Sequence, residues 1–253
     1  MQYILNNNEL LFLCVLAGAE EIIGVDNPLE DANEDEIAKH WEVVSKNLLE
    51  RGYLVNDEEG QIHIVEEMEK ILSVIAFPDV ALVNTISINN DEEIQYLFIK
   101  SYLAISMKNN GECIIDTFEE VEDFNTYLID FYGLAELEES DMKYMVSIAS
   151  KDFDKALEFA MKGDSPKAGE VVAVEGIPQE ELTLMFDALV KDEESIKITA
   201  FKNEEEQTIQ AMLNISKLNG KAWMVKTKGT EDYERVSIYK SNPKEMINSL
   251  FAF

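Results

Sequence analysis

AISMKNNG (residues 104–111) and AWMVKTKG (222–229) repeat one pattern 118 residues apart: an alanine, an apolar pair around one more residue, a lysine and a turn glycine. A repeat restricts what a chain can fold into more than composition does, provided its surroundings recur in the same order. They do. NDEEIQYLF (90–98) has a counterpart in NEEEQTIQAML (203–213), an acidic turn before a strand that contains Ile-Gln in both places. Downstream, IIDTFEEVEDFNTYLIDF (114–131) matches VSIYKSNPKEMINSLFAF (236–253), with Phe124, Leu128 and Phe131 in the places of Met246, Leu250 and Phe253. That spacing of three to four marks a helix after each hairpin. Upstream, Met68, Ile71, Leu72 and Ile75 correspond to Leu182, Met185, Phe186 and Leu189, again helices, each leading into a strand (79–87 and 195–201). The unit is helix, three strands, helix, used twice. Antiparallel meanders resemble one another anyway, since period 2 and turn glycines are all they require. Shared order over five elements favours an internal duplication, with half-repeats 1–139 and 140–253 in one domain spanning the chain. The second copy carries extra residues, LNG before Lys221 and TEDY after Gly229, and its strands are expected to form a longer meander.

The surface chemistry follows from 51 acids against 21 bases, a net charge of -30. Such a surface repels phosphates, which argues against nucleic acid and anionic lipid and in favour of basic protein partners. Two cysteines, Cys14 and Cys113, are too few for a disulfide framework and fit a reducing cytoplasm. LLFLCVLAGA (10–19) has the length of a signal-peptide core, yet no base precedes it and Asn6 to Glu9 read as a capped helix start. No run approaches the ~20 apolar residues of a membrane span. A cytoplasmic protein is expected.

The first half opens with a strand and that capped helix, then a loop containing Gly24 and Pro28. NEDE (33–36) starts another helix as a capping box, with Ile37, Trp41, Val44 and Leu48 on one face and Gly52 stopping it. A hairpin follows. Helix, glycine, hairpin and helix in that order resemble a winged helix, but the hairpin tip carries Asn56, Asp57, Glu58, Glu59 and Gly60 where a DNA-binding wing needs Lys or Arg. The halves meet in the acidic stretch GLAELEESDMK (133–143), and a strand at 144–148 and a helix at 150–161 restart the second half like the first. KGDSPKAGE (162–170) is the most loop-like stretch.

Catalytic chemistry has little to stand on. His40 and His63 are the only histidines, and there is no H-E-x-x-H, C-x-x-C, G-x-S-x-G or glycine-rich phosphate loop. Glu66, Glu67 and Glu69 lack the loop a calcium site needs and read as a solvated helix face. Neither an enzyme nor a cofactor or metal is expected. Trp41 reads as core. Trp223 and Val225 share one strand face with Met224 on the other, the pattern of a sheet covered on both sides or of one with a face kept for a partner.

The layout resembles the EspG family of type VII (ESX) secretion-associated chaperones. The resemblance rests on ILNNNELLFLCVLAGAEE, the helix end LLERGYLV, GQIHIVEEMEKILSVIAFPDVALV, the meander YLAISMKNNGECIIDTF and the closing NGKAWMVKTKGTEDYERVSIYKSNPKEMINSL. It covers nearly the whole chain through order and apolar positions rather than a signature. It implies an α+β fold with a pseudo-twofold duplicated unit, a central antiparallel sheet flanked by helical subdomains, and a cytosolic chaperone holding a helical secretion substrate, PE–PPE dimers in that family. This chain is richer in Ile, Lys, Asn and Glu and poor in Arg, which turns the expectation towards WXG-like or LXG-like helical partners. An acidic immunity protein that neutralises a basic toxin is the alternative. The partner surface is expected on the second meander and the helix before it, on an exposed subset of Met185, Phe186, Leu189, Met212, Leu213, Trp223 and Met224; failing that, on the hairpin 53–64.

Overall fold

The computed structural model describes residues 1–19, 21–27, 29–88, 91–137, 143–191, 194–203, 207–228 and 234–251. Pro28, residues 138–142 of the acidic connector, Gly229, TEDY and Phe253 lie outside the described residues. In chain order the elements are β1 (Gln2–Asn6), α1 (Asn7–Leu16), α2 (Glu34–Glu50), β2 (Leu54–Asn56), β3 (Ile62–Ile64), α3 (Glu66–Ala76), β4 (Val80–Ile88), β5 (Asp91–Lys100), β6 (Leu103–Asn109), β7 (Glu112–Phe118) and α4 (Val121–Phe131). They continue with β8 (Tyr144–Ala149), α5 (Ser150–Met161), α6 (Ser165–Val171), α7 (Gln179–Lys191), β9 (Glu194–Asn203), β10 (Gln207–Leu218), β11 (Lys221–Lys228), β12 (Arg235–Lys240) and α8 (Pro243–Leu250).

The strands make a ten-stranded sheet in the order β1-β7-β6-β5-β4-β9-β10-β11-β12-β8, and β2 with β3 makes a separate hairpin. The order mirrors itself about β4 and β9, the two strands expected in equivalent places. The fold is the expected α+β with a central antiparallel sheet. Each meander has four strands, because IIDTF and VSIY are strands in their own right before the helix begins. The LNG difference adds ladder rather than loop. Asn219 and Gly220, both at positive φ, close β10 onto β11 through Leu218 and Lys221, the two-residue turn that matches strand twist. Ser101 and Tyr102 close β5 onto β6 just as tightly between Lys100 and Leu103.

The chain packs as two compact units, Met1–Ala81 with Gln95–Val121, and Leu82–Ile94 with Glu122–Phe253. In the first, α1 and α3 lie on the sheet face that carries Leu5, Phe98, Ile105, Met107, Cys113 and Ile115, all buried. Both helix starts read from the sequence are present: the Asn6 and Asn33 side chains accept from the N–H groups of Glu9 and Glu36, whose carboxylates return to the cap N–H. α2 is covered only along its second half. Val44 and Leu48 are buried, Trp41 packs against Phe12 at 5.5 Å between ring centres, and Ile37 is exposed.

In the second unit α5, α6 and α7 cover the face of β8, β12 and β11 that carries Ile148, Val236, Ile238, Trp223 and Val225. The other face, with Ile196, Ile198, Leu213, Ile215 and Met224, is buried as well, and α8 reaches it where Ser249 Oγ meets Met224 Sδ at 4.0 Å. α6 corrects the loop reading of 162–170. Asp164 caps it by accepting the Lys167 N–H, Pro166 sits in its first turn, and Ser165 Oγ donates to Asp187 at 2.6 Å. An N-cap acid followed by a first-turn proline is a helix-start signal, hidden here by two glycines.

Candidate functional site

The expected partner surface is built from α7 and the β9–β12 meander. α7 repeats buried residues at helical spacing, Leu182, Met185, Phe186 and Ala188, so one stripe faces the sheet. Glu181 lies on that stripe as well, a carboxylate among apolar groups, and the sheet answers it with donors. Trp223 Nε1 donates to Glu181 Oε1 at 2.9 Å and lies 3.2 Å from Tyr144 Oη; the buried ammonium of Lys240 bonds the same oxygen, and Lys221 Nζ stands 3.8 Å from Oε2. The Lys240 ammonium also lies over the Trp223 ring, 5.4 Å from its centre. Burial, and then the Glu181 carboxylate, push the Tyr144 phenol above its ordinary range.

This network decides where the seven residues go. Trp223 is wholly enclosed, its indole spent on Glu181, and Met185, Phe186, Leu213 and Met224 are buried too. Leu189 is half-buried against the same core. Met212 alone of the seven is open, 49% exposed, on the β10 face between its cross-strand neighbours Thr199 and Thr227. So both faces of β11 are covered, and the large apolar groups of the second meander serve mainly as core. Sequence reasoning missed Glu181, Lys240 and Tyr144, which are far apart along the chain and match no motif.

Lys226 is a further buried base. Its Nζ lies 3.5 Å from the Ser249 carbonyl near the C-terminal end of α8, where a cation is favoured. Burial, and then the neighbouring Lys228 charge, lower its ammonium to about 8.

Among the described residues, cavities open in both units. One of about 660 Å³ in the first unit is bordered by Asn6, Asn8, Lys39, His40, Val43 and Asn47. One of about 480 Å³ in the second is bordered by Ser87, Asp130, Phe131, Ser195 and Lys217. The third, about 330 Å³, lies between β8, β12 and α8. Among the described residues no three His, Cys, Asp or Glu side chains are placed to hold a metal ion, and no helix is long and apolar enough to cross a membrane.

No family model and no curated protein matches the sequence. A solved structure does: that of the Mycobacterium tuberculosis type VII secretion system chaperone EspG5 in complex with a PE25–PPE41 dimer. The match has a TM-score of 0.66 at 12% identity and covers 97% of this chain and 92% of that one. The mirrored sheet and its helices therefore constitute the fold of that chaperone.

Proposed function

We propose that the chain is an adaptor that holds an α-helical secreted protein before export and carries out no catalysis of its own. The observation that carries this reading is the extent of the fold likeness, nearly end to end in both chains, to a chaperone whose structure was solved with a helical dimer bound. The repeat in sequence and the mirrored strand order support an origin by duplication of one half. The partner is a helical protein of WXG-like, LXG-like or PE–PPE-like kind, and the meeting place is the cytoplasm.

The contact surface in this proposal is the strip of β10 at Met212, flanked by Thr199 of β9 and Thr227 of β11. Met212→Asp places a charge at an exposed position, so it leaves the core untouched. Co-expressed with a helical secreted protein that the parent captures, the variant is expected to recover at least about tenfold less partner, with Tm within ~1 °C of the parent. Undiminished recovery removes the strip from the proposal; failure of the parent to capture any helical partner removes the adaptor reading itself. The net charge of -30 supports the second reading, an immunity protein against a basic toxin. That partner would be lost as salt rises, whereas an apolar helical contact would persist.

A further inference from the structure

Two hairpin turns place an asparagine directly before a glycine, Asn110–Gly111 between β6 and β7 and Asn219–Gly220 between β10 and β11, and no other asparagine of the chain precedes a glycine. The pair carries a latent reaction. A glycine nitrogen, with no Cβ beside it to obstruct approach, can attack the carboxamide carbon of the asparagine before it. All four residues are exposed, so access to solvent does not separate the two turns.

Backbone shape does. Ring closure needs the glycine nitrogen and the asparagine Cγ on the same side of the Cα–C bond. Asn219 and Gly220 have φ of 52° and 71°, the left-handed pair of a two-residue hairpin turn. The left-handed region has ψ of about +47°, which sets the Gly220 nitrogen nearly opposite Cβ and out of reach of Cγ in every side-chain rotamer. Turning ψ far enough would break the closing pair Leu218–Lys221, and the ladder behind it continues through buried Trp223 and Met224.

Asn110 is held more loosely. Its φ is negative, and the register of β6 with β7 runs only to Asn109 and Cys113, which leaves residues 110–112 to make the turn. Its carboxamide makes no hydrogen bond among the described residues. One contact restrains the reaction: the Gly111 N–H donates to Asn109 Oδ1 at 3.2 Å, while Asn109 Nδ2 donates to the Gly24 carbonyl at 2.8 Å. A nitrogen that keeps its proton is no nucleophile. This bond is at the long end of the usual range and spans two residues of an exposed turn, so it slows attack without preventing it.

We propose that Asn110–Gly111 is a site of spontaneous deamidation gated by Asn109, and that the turn at Asn219–Gly220 locks that pair against the same chemistry. Solvent base takes the Gly111 N–H proton, the nitrogen bonds to Asn110 Cγ, and the bond from Cγ to its NH2 group breaks as that group takes up a proton and leaves as ammonia. Water then opens the succinimide. Attack at Cγ gives aspartate, and attack at the main-chain carbonyl gives isoaspartate, whose backbone carries one extra CH2. Nothing is oxidised or reduced. Either product puts a carboxylate where a neutral amide stood, beside the cavity of about 660 Å³ that Gly111 borders. The inference is independent of the adaptor reading.

The test ages the full folded chain in mildly alkaline buffer, with the chain unfolded in urea aged alongside, and follows both sites by peptide mass spectrometry. In the folded chain Asn110 is expected to convert at least about tenfold faster than Asn219, and in urea the two rates are expected to agree within about threefold. Asn109→Ala removes Oδ1 and is expected to speed Asn110 about threefold or more while Asn219 keeps its parent rate. If that variant unfolds, Asn219 shows it by rising to its rate in urea, and the parent's ratio decides. Equal rates in the folded parent, a faster Asn219, or an Asn110 that stays intact while the unfolded control converts overturns the proposal. A folded Asn109→Ala chain with an unchanged or slower rate at Asn110 overturns the gate.

Discussion

Glu181 shows why single residues in this protein cannot be judged from pattern alone. An acid in the first turn of a helix reads as solvated and dipole-favoured, and its neighbour Glu180 is exposed. Glu181 is buried because three donors from the sheet converge on it, and removing its charge leaves the Lys240 ammonium buried and uncompensated. Glu181→Gln is expected to cost about 3 kcal/mol in urea unfolding. Trp223→Phe, which keeps an aromatic side chain but loses the N–H and leaves part of the indole volume empty, is expected to cost about 2–4 kcal/mol. Equal and negligible losses would mean that water satisfies the carboxylate. Lys226 has a pH signature. Its ammonium is lowered in the folded chain from 10.5 to about 8, so between those values the unfolded state holds more protons and the stability from this group rises with pH. Lys226→Met is therefore expected to be more stable than the parent at pH 7, by on the order of 1 kcal/mol, and to lose that advantage by pH 10. A difference that stays constant over that range would show that Lys226 is held by its bond to Ser249 rather than opposed by burial. None of this was legible in the sequence beyond the apolar character of Trp223 and Met224, since partners 40 to 60 residues apart leave no local trace.

Elements were legible where local chemistry sets them. The caps at Asn6 and Asn33, the Gly52 stop and the Asn219-Gly220 turn all follow from one or two residues acting on their own backbone. α6 was missed because Gly163 and Gly169 flank and interrupt a start signal that is otherwise sound. The reading of α2 erred differently: its stripe of Ile37, Trp41, Val44 and Leu48 is real, but periodicity reports which face is apolar and says nothing of how far along the helix a neighbour extends. The first turns of α2 consequently depend on their cap more than the last ones do. Asn33→Ala is expected to cost only about 1 kcal/mol locally, and native-state exchange should speed up at residues 36 to 40 while those at 46 to 49 keep the parent rates. Uniform loss of protection along the helix would show that α2 unfolds only with the rest of its unit.

At the scale of the whole molecule, the antiparallel sheet was legible because hairpins in a fixed order leave few ways to pair, while which apolar residues stay exposed was not, because exposure depends on which helices cover which face. The charge acts at this scale too. With 51 acids and 21 bases the folded chain repels itself, and 0.5 M added sodium chloride, in the range where screening lengths fall to a few ångströms, is expected to raise Tm by roughly 3–6 °C. A Tm that falls with salt would show that ion pairs such as Lys240–Glu181 outweigh the repulsion. The central position of β4 has a consequence for synthesis. Nearly all of its companions in the first meander are adjacent hairpin strands, but its other neighbour, β9, begins only at Glu194. On the ribosome β4 therefore waits on the order of 10 s for that neighbour to be translated. Through that interval VALVNTISI presents an uncharged, β-prone edge with no partner strand, so slower translation between residues 89 and 194 is expected to lower the yield of folded protein.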